Sequence, residues 1–456
     1  MKTMRKTCFI FLILVVLTLP AAAQIAGQNA LLRSGPMIGY SEMTETAVWL
    51  QTKQPAEAQI RYWKQGEPKN AKLSKTIRTN QETDFIARFA LSDLEFGARY
   101  DYEVLLNNRR VAFDFQPTFK TQPHWRWRTE PPSFQFAFGS CAYINDPPFD
   151  RPGKPYGSGF EIFGSIAAKK PDFMIWLGDN VYYREPDWLA ESAMRYRYRQ
   201  NRELPEMRQL LATTSNYAIW DDHDYGANDS DRTFRLRDAS LRIFKDYWAN
   251  ATYGDAETPG VFGRFEWNDA EFFLLDDRYY RSPNEMPNPA DKVMFGDKQM
   301  RWLTESLRSS SAAFKIVVGG NQMLNQLSPV ESFKQFPAEQ RRLLDFIRDA
   351  RVEGVVFLSG DRHYTELIRL KDVGTYPLYD FTSSPLTAGN ADPYPVEQNN
   401  PDRVPGTLVK GIKSFGMIEV AGTAKERKLV LRAFDAAGKE LWKHEIAAAE
   451  LRFPKQ

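Results

Sequence analysis

Residues 173–180 read FMIWLGDN, five apolar residues followed by the turn-forming pair Gly178 and Asp179 and then an asparagine. A continuous apolar run closed by such residues is typical of a strand that is buried on both faces. The same pattern recurs at residues 134–142, 217–222, 314–321 and 355–361. Helical patterns separate several of these runs, at residues 233–249, 299–309 and 339–352. This alternation predicts an α/β layered domain with a β-sheet core flanked by helices.

The ends of these runs collect side chains of the kinds that bind metal ions. They close with Ser140-Cys141, Asp179-Asn180, Asp221-Asp222-His223, Asn321-Gln322 and Asp361-Arg362-His363. Each of these motifs alone can be explained without a metal site, since Gly-Asp is a common turn and a lone Cys or His is often structural. Ligands bind beyond the carboxyl ends of strands in open α/β sheets. Because burying so many carboxylates together is costly without a cation, the set as a whole predicts a metal site.

The ligand types narrow the choice of ion. Tyr182 follows the second run and adds a phenol to the thiol of Cys141 and the imidazole of His363. These three groups suit a transition metal such as iron better than magnesium. Asp222 and Asp361 offer hard oxygens for a second ion such as calcium, manganese or zinc. Two adjacent cations would clamp a phosphoryl group, generate a metal-bound hydroxide and stabilise a leaving oxygen.

The first 23 residues have the features of a secretory signal peptide. Three cationic residues precede an apolar run at residues 8–19, which is followed by Pro20 and three alanines. The run is short for a bilayer span, so an uncleaved anchor is the less favoured alternative. Cleavage before Gln24 predicts an exported protein, periplasmic or extracellular. No later segment is apolar enough to predict a transmembrane span in the mature chain.

Charge and cysteine content add two expectations. Removing the signal peptide from the 60 Lys plus Arg and 58 Asp plus Glu of the chain leaves a nearly neutral protein. We therefore expect no stable nucleic-acid partner. Cys141 would be the only cysteine of the mature chain, so no intramolecular disulfide can form. A lone thiol in an exported protein is expected to be buried or bound.

An all-β module is predicted at residues 24–124, ahead of the layered domain. Apolar and polar residues alternate at 46–52, 58–63 and 85–90. Residues 94–104 resemble the tyrosine corner of an immunoglobulin-like or fibronectin-like sandwich. Because no His or Asp cluster lies here, we expect a structural or docking role. Residues 124–132 form the predicted linker, and the layered domain follows at 132–456.

Additional strands are predicted later in the chain. Residues 261–276 and 365–381 are rich in β-forming residues and are expected to add partly antiparallel strands. Residues 416–446 resemble a hairpin that turns at residues 436–438.

In this order, the motifs resemble the PhoD-like (alkaline phosphatase D) family of metallophosphoesterases. They are GSC at 139–141, GDNVY at 178–182, WDDHD at 220–224, DDRYYR at 276–281, GNQ at 320–322, SGDRH at 359–363 and FTSSP at 381–385. The resemblance covers nearly the whole mature chain. It implies a metallophosphoesterase-type catalytic domain that hydrolyses phosphomonoesters or phosphodiesters and uses Fe3+ with Ca2+, with Zn2+ or Mn2+ as alternatives at the second site.

The resemblance also implies roles for the metal-binding residues. It assigns the ferric ion to Cys141, Asp179, Tyr182 and His363. Asp179 would bridge to calcium, which Asp222 and Asp361 would also bind.

Four further residues are implied around the phosphate. His223 would stabilise charge or protonate the leaving group. Arg278 and Arg281 are candidate phosphate clamps, because guanidinium matches phosphate oxygens, and surface ion pairs are the alternative reading. Asn321, or the neighbouring Gln322, occupies a strand end where many metallophosphoesterases place a metal-binding His. That difference favours an oxygen-preferring second ion.

One feature departs from the family, and other functions stay open. Members are often exported with a twin-arginine signal, whereas this chain has no Arg pair at its start, so unfolded export is expected. An alternative is an extracellular phosphodiesterase or phospholipase-like enzyme for polymers or lipids. Residues 188–198 would then line a groove, unless they form an ordinary amphipathic helix. A catalytically silent metal-binding surface protein is a further alternative. A monomer is the expected state.

Overall fold

The computed structural model describes residues 30–287, 289–371 and 373–454. The predicted signal peptide, residues 1–23, lies outside these residues. The first strands are β1 (Leu32–Ser41), β2 (Thr46–Thr52), β3 (Glu57–Lys64), β4 (Lys72–Leu73), β5 (Ile77–Arg78), β6 (Ile86–Leu91), β7 (Arg99–Leu106), β8 (Arg109–Arg110), β9 (Thr118–Lys120), β10 (Phe134–Gly139), β11 (Phe173–Leu177) and β12 (Ser215–Ile219). The later strands are β13 (Gly263–Trp267), β14 (Ala270–Leu274), β15 (Phe314–Val318), β16 (Val355–Ser359), β17 (Glu366–Leu370), β18 (Leu378–Thr382), β19 (Ser414–Ala421), β20 (Lys428–Asp435) and β21 (Glu440–Ala447). The α-helices are α1 (Glu161–Ala168), α2 (Glu191–Arg202), α3 (Arg208–Thr213), α4 (Asp222–Tyr225), α5 (Arg237–Tyr247), α6 (Gly296–Ser309) and α7 (Pro337–Asp349).

A nine-stranded mixed sheet contains the first three predicted runs as neighbours. Its order is β21-β20-β19-β10-β11-β12-β1-β2-β6. Strands β10, β11 and β12 are parallel, and β19 pairs with β10 in the antiparallel sense. Every residue of β11 and β12 is buried, as their continuous apolar character predicted. Their carboxyl ends therefore open onto one edge of the sheet.

A six-stranded sheet contains the other two predicted runs. Its order is β13-β14-β15-β16-β18-β17, with β14, β15, β16 and β18 parallel. The antiparallel edge strands β13 and β17 account for the β-rich segments predicted around them. The sequence had suggested one sheet edge for all five runs. The structure divides them between two sheets, because the alternation of strands and helices does not specify which strands pair.

The two sheets pack face to face, and helices cover their outer faces. Phe136 of β10 meets Phe272 of β14 edge-on at 5.2 Å, and Phe138 meets Phe381 of β18 at 4.8 Å. The other face of the nine-stranded sheet packs against α1, α2 and α5, while apolar residues of α6 and α7 join the core of the six-stranded sheet. The predicted sheet core flanked by helices is confirmed, with two packed sheets in place of one.

The N-terminal region is all-β, but it is not separate from the larger sheet. Strands β1, β2 and β6 extend the nine-stranded sheet, because Ile38 of β1 pairs in parallel with Ser215 of β12. Strands β3, β4, β5, β7, β8 and β9 form a third sheet. The Glu95 N–H donates to the Tyr100 hydroxyl at 2.8 Å, the contact expected of a tyrosine corner. The immunoglobulin-like or fibronectin-like assignment and the domain boundaries stay predictions.

The C-terminal hairpin prediction was incomplete. Strands β19, β20 and β21 form a three-stranded antiparallel meander, and the turn at residues 436–438 joins its second and third strands.

In the part of the chain that the structure describes, no helix combines the length and apolar character needed to cross a bilayer.

Candidate metal centre

Four side chains of different chemistry meet where β10, β11 and β16 end. The Cys141 Sγ atom lies 3.6 Å from Oδ2 of Asp179, and the Tyr182 hydroxyl lies 3.1 Å from the same oxygen. Nε2 of His363 lies 3.3 Å from the Tyr182 hydroxyl. Donor atoms of Cys141, Asp179 and His363 all lie within 4.8 Å of one another. The structure thus brings together the four residues that the resemblance assigned to one ion, and we call them the donor cluster.

Asp179 also belongs to a second compact group. Donor atoms of Asp179, Asp222 and His223 lie within 4.8 Å of one another. Asp222 and His223 belong to the short helix α4, which follows β12. The Asp222 Oδ1 and His223 Nδ1 atoms are buried and have no hydrogen-bond partner among the described residues. A carboxylate shared by two adjacent groups is suited to bridge two ions.

The backbone at this centre is held in an uncommon conformation. The φ angle is +62° at Cys141, +51° at Asp179, +66° at Asp361 and +57° at His363. Left-handed φ at residues other than glycine costs about 1–3 kcal/mol each and persists only where the surroundings enforce it. Four such residues at one centre indicate a functional site, because the surrounding structure fixes the direction of each side chain despite the conformational cost.

Gly178 allows two strand ends to approach each other. Its φ is +92°, and a Cβ there would lie 2.6 Å from Cβ of Asp221 and 2.7 Å from its backbone nitrogen. Glycine alone avoids both the conformational cost and this collision. The loop after β11 can therefore lie directly against the loop after β12, which brings Asp179 beside Asp222.

Burial shifts the titration of the groups at this centre. The pKa of the Asp179 carboxyl is raised well above its usual value, first by burial and then by nearby acidic side chains. Burial, followed by the charge of Asp361, raises the pKa of the Cys141 thiol to about 11. Burial also holds the pKa of His223 and of His363 below the usual value. Both imidazoles are therefore neutral at pH 7, the form that binds metals.

The backbone and one serine orient the ligands. The Nδ1–H of His363 donates to the Gly389 carbonyl oxygen, which leaves Nε2 facing the donor cluster. Metal-binding histidines commonly donate their second N–H in this way. The Ser384 hydroxyl donates to Sγ of Cys141 at 3.1 Å and accepts the His363 N–H at 3.0 Å. No role for Ser384 was predicted from the sequence, although it lies in the FTSSP motif.

Asp361 lies next to the donor cluster. Its N–H donates to the Ser140 hydroxyl at 3.1 Å, and its carbonyl oxygen accepts from the Cys141 thiol at 3.4 Å. Burial, followed by the charge of Glu331, raises the pKa of the Asp361 carboxyl to about 7. Its carboxylate does not belong to either compact donor group found among the described residues. Calcium binding by Asp361 stays a prediction.

Arg278, Arg281 and Asn321 lie in a neighbouring network that we call the arginine cluster, together with Asp221 and Glu331. Both guanidinium groups are buried and pair with Glu331. Arg278 also pairs with Asp221 at 2.5 Å, and Nη1 of Arg281 donates to Oδ1 of Asn321 at 2.8 Å. The structure does not bring these three residues into the donor cluster. Direct phosphate binding by them stays a prediction.

Asp224 organises the two strand ends, a role that the sequence reading missed. Its carboxylate accepts the backbone N–H groups of Asp179 at 3.2 Å, Asn180 at 3.1 Å and Asp221 at 2.6 Å. The Asn180 side-chain amide donates to it at 2.7 Å. The available signal was the three-residue spacing from Asp221 to Asp224, which forms a capping box in α4. Glu331, by contrast, follows no strand and no repeating pattern that would have marked it.

A cavity of about 720 Å³ opens beside the donor cluster. Tyr182 and His223 line it on the metal side, and the irregular segment at residues 143–156 forms much of its wall. Trp188 is the part of the predicted groove segment that lines this cavity.

The arginines of the groove segment have other partners. Arg195, Arg197 and Arg199 all form ion pairs, with acidic residues from α2 itself, from neighbouring loops, from α5 and from the N-terminal region. These three arginines therefore hold helix α2 in place by ion pairs, and they do not line the cavity.

The donor set fits metal ions. Asp179 and Cys141 are buried, and among the described residues no Arg or Lys side chain forms an ion pair with the Asp179 carboxylate. A buried carboxylate in that position is costly until a cation compensates it. The thiol, phenol and imidazole suit a transition metal, and the carboxylates of Asp179 and Asp222 suit a harder neighbouring ion.

Comparison with known proteins gives matches over both regions of the chain. A family model described as PhoD-like phosphatase matches residues 136–429, and one described as a domain of unknown function (DUF7800) matches residues 29–124. Alkaline phosphatase D of Bacillus subtilis (strain 168) is 22% identical over 312 residues, which cover 56% of this chain and 51% of that protein. The match therefore spans about half the length of this curated relative.

Two solved structures share the fold. The structure of PhoD has a TM-score of 0.73 at 17% identity, covering 91% of this chain and 92% of its own. A purple acid phosphatase from yellow lupin (Lupinus luteus) seeds has a TM-score of 0.65 at 13% identity, covering 90% of this chain and 74% of its own. The metallophosphoesterase-like architecture is therefore confirmed.

Proposed function

Because the chain belongs to the PhoD-like phosphatase family, we propose that it is a metal-dependent phosphoesterase that hydrolyses phosphomonoesters, phosphodiesters or both. The observation that carries this proposal is the donor cluster. A thiol, a carboxylate, a phenol and an imidazole converge there, and no Arg or Lys of the described residues forms an ion pair with the carboxylate. Such a cluster is suited to hold cations against a phosphoryl group.

We propose that Cys141, Asp179, Tyr182 and His363 hold Fe3+. Asp222 and Asp361, with Asp179 as the bridge, would hold Ca2+ or another oxygen-preferring ion. When bound, the cations would neutralise phosphoryl oxygens and lower the pKa of the attacking water. The protein itself contributes pre-arranged ligands, since hydrogen bonds from Ser384 and to Asp224 hold the loops in place.

His223 is positioned to act on the substrate. Its ring stacks on that of Tyr182 at 4.2 Å, and it lines both the metal side and the cavity side of the site. Burial keeps the imidazole neutral by lowering its pKa. A neutral imidazole retains one N–H, which we propose donates to a phosphoryl or leaving-group oxygen.

For the arginine cluster the contacts favour a positioning role. Arg278 holds Asp221, whose neighbour Asp222 belongs to the second donor group. Arg281 holds Asn321, and both guanidinium groups are already paired with Glu331. We propose that these residues fix the loops behind the metal ligands.

Export to the periplasm or the extracellular space by the signal peptide at residues 1–23 is also part of the proposal.

Metal removal tests the proposed function. The purified full-length protein should release phosphate or alcohol from a chromogenic phosphomonoester or phosphodiester, lose this activity in chelator, and regain it when Fe3+ and Ca2+ are restored. Activity that survives complete metal removal would contradict the proposal. A metal-loaded protein that cleaves neither ester would favour the alternative of a silent metal-binding surface protein.

A further inference from the structure

The cavity beside the donor cluster is walled by aromatic rings. Among its 18 lining residues are six Tyr, Phe or Trp side chains and no Leu, Ile, Val or Met. Its volume of about 720 Å³ is far larger than a phosphate group needs and lies within the range of organic-ligand pockets. A site built only for inorganic phosphate or a very small ester would not need this space.

Three of these rings leave part of their surface open. Phe149 is 37% exposed, Tyr156 is 46% exposed, and Trp188 is partly exposed. Tyr156 is held against the site, because a Cβ on Gly389 would come within 2.3 Å of its ring and its hydroxyl lies 3.4 Å from Nδ1 of His363. Open aromatic faces around a cavity are costly in water unless a ligand covers them.

The polar groups of the cavity suit a ring that also carries hydrogen-bonding and anionic groups. Asn228 lines it and is exposed. Lys154 is exposed at the rim and forms no ion pair with the described residues. Aromatic faces stack with planar rings, whereas an alkyl chain is better matched by Leu, Ile, Val or Met side chains, and the aliphatic side chains that line this cavity are three prolines, Pro147, Pro152 and Pro155.

We propose that this cavity binds the organic part of the ester, and that the preferred substrates carry a planar ring there, as nucleotides do. The inference rests on the proposed function and specifies its substrate class. In hydrolysis the oxygen of water joins phosphorus, the ester P–O bond breaks and the leaving oxygen takes a proton. Tyr182 of the donor cluster and His223 of the second donor group both line the cavity, so the departing alcohol with its ring lies in the cavity.

A matched pair of substrates tests this inference with the metal-loaded, full-length protein. Adenosine 5′-monophosphate and ribose 5-phosphate share the same primary phosphate ester and differ at the base. Stacking of one base corresponds to about tenfold or more in kcat/KM. We expect kcat/KM to favour the nucleotide by that factor. Equal values for the two substrates would overturn the inference while leaving the proposed function intact.

Ring-removing variants show whether the cavity produces the preference. Trp188→Leu and Tyr156→Leu should each reduce the ratio of the two kcat/KM values several-fold, while Tyr156→Phe, which keeps the ring, should retain it. Using the ratio removes any general loss that arises because Tyr156 contacts His363. Trp127→Leu is the matched control, since Trp127 is 91% exposed and does not line the cavity. An unchanged ratio in both ring-removing variants would overturn the inference.

A third substrate separates a ring from an apolar chain. Octyl phosphate offers an aliphatic leaving group of comparable bulk, and we expect its kcat/KM to stay below that of the nucleotide. A clear preference for octyl phosphate would overturn the inference in favour of a lipid-like substrate. If even a chromogenic ester is not hydrolysed, the proposed function fails and this inference fails with it.

Discussion

Two clusters of buried acidic groups lie side by side in this protein and are neutralised in different ways. In the arginine cluster, Glu331 contacts Arg278 and Arg281, and although burial alone would raise its pKa, these charges hold the pKa well below the usual range. In the donor cluster, Asp179 has no arginine, and burial with nearby acidic groups raises its pKa well above that range. The protein supplies its own cations to Glu331 and leaves Asp179 to be completed by metal ions.

This comparison distinguishes acidic groups that are buried for structural reasons from acidic groups that are buried for function. Asp179 in the donor cluster is 1% exposed and Asp221 in the arginine cluster is fully buried, so burial alone does not identify a metal site. The informative feature is the missing counter-charge, combined with soft donors such as the Cys141 thiol.

Removing the carboxylate that belongs to both donor groups should have the largest effect. Asp179→Asn keeps the shape of the side chain but deletes the charge shared by both donor groups. Because metal ions contribute several kcal/mol to phosphoryl transfer, we expect kcat/KM to fall on the order of 10³-fold or more. Steady-state kinetics on a chromogenic ester measures this. Asp297→Asn, at an exposed carboxylate whose side chain is 83% accessible, is the control. Near-wild-type turnover in Asp179→Asn would remove the basis for the contrast.

The corresponding change in the arginine cluster should affect stability. Glu331→Gln leaves Arg278 and Arg281 without their shared carboxylate, and breaking a buried ion pair costs about 3–5 kcal/mol. Urea denaturation of the metal-loaded protein should show that loss. Glu445→Gln, at an exposed carboxylate paired with Lys428 and Lys443, should leave the unfolding midpoint unchanged. A fully stable Glu331→Gln variant would show that the two clusters are not neutralised differently.

The pH dependence of stability should differ between metal-free and metal-loaded protein. Asp179 and Asp361 have folded-state pKa values raised above the usual 3.8, to about 7 for Asp361. Groups of this kind stabilise the fold below the unfolded pKa and lose that contribution as the pH rises through the folded pKa.

Chelated protein should therefore lose about 2 kcal/mol of unfolding free energy relative to loaded protein between about pH 5 and about pH 8. Urea titrations at several pH values measure the difference. In the chelated form, Asp361→Asn should flatten the slope. Parallel pH profiles for the two forms would mean that metal ions do not compensate these carboxylates.

The smallest expected effect concerns support of a ligand. Ser384→Ala removes the hydroxyl that donates to Sγ of Cys141 at 3.1 Å. Loss of such an outer hydrogen bond typically weakens metal binding by about 10–100-fold, and we expect the lower end because the Gly389 contact of His363 remains. Competition with a calibrated chelator measures the affinity. Ser192→Ala, on the first turn of α2 and away from the centre, provides a matched control.

Local sequence pattern predicted the strands and the polar residues at their ends better than the pairing of the strands. Residues 173–180 indicated both β11 and the position of Asp179, because a buried strand and its polar end leave a direct record in the sequence. The division into two sheets depends on long-range pairing, such as Ile38 with Ser215, which no local pattern encodes. The partners of Glu331 were likewise not predictable from local sequence, since it contacts Arg278 and Arg281 only after folding.

We infer that metal ions complete the donor cluster, and the metal content of protein purified without chelator tests that claim. Elemental analysis should find bound metal in the wild type and in Glu331→Gln, and should find it lost from Asp179→Asn. That result would show that the cluster without arginines is completed by metal. A wild-type protein free of metal, or an Asp179→Asn variant that retains the full amount, would contradict the claim.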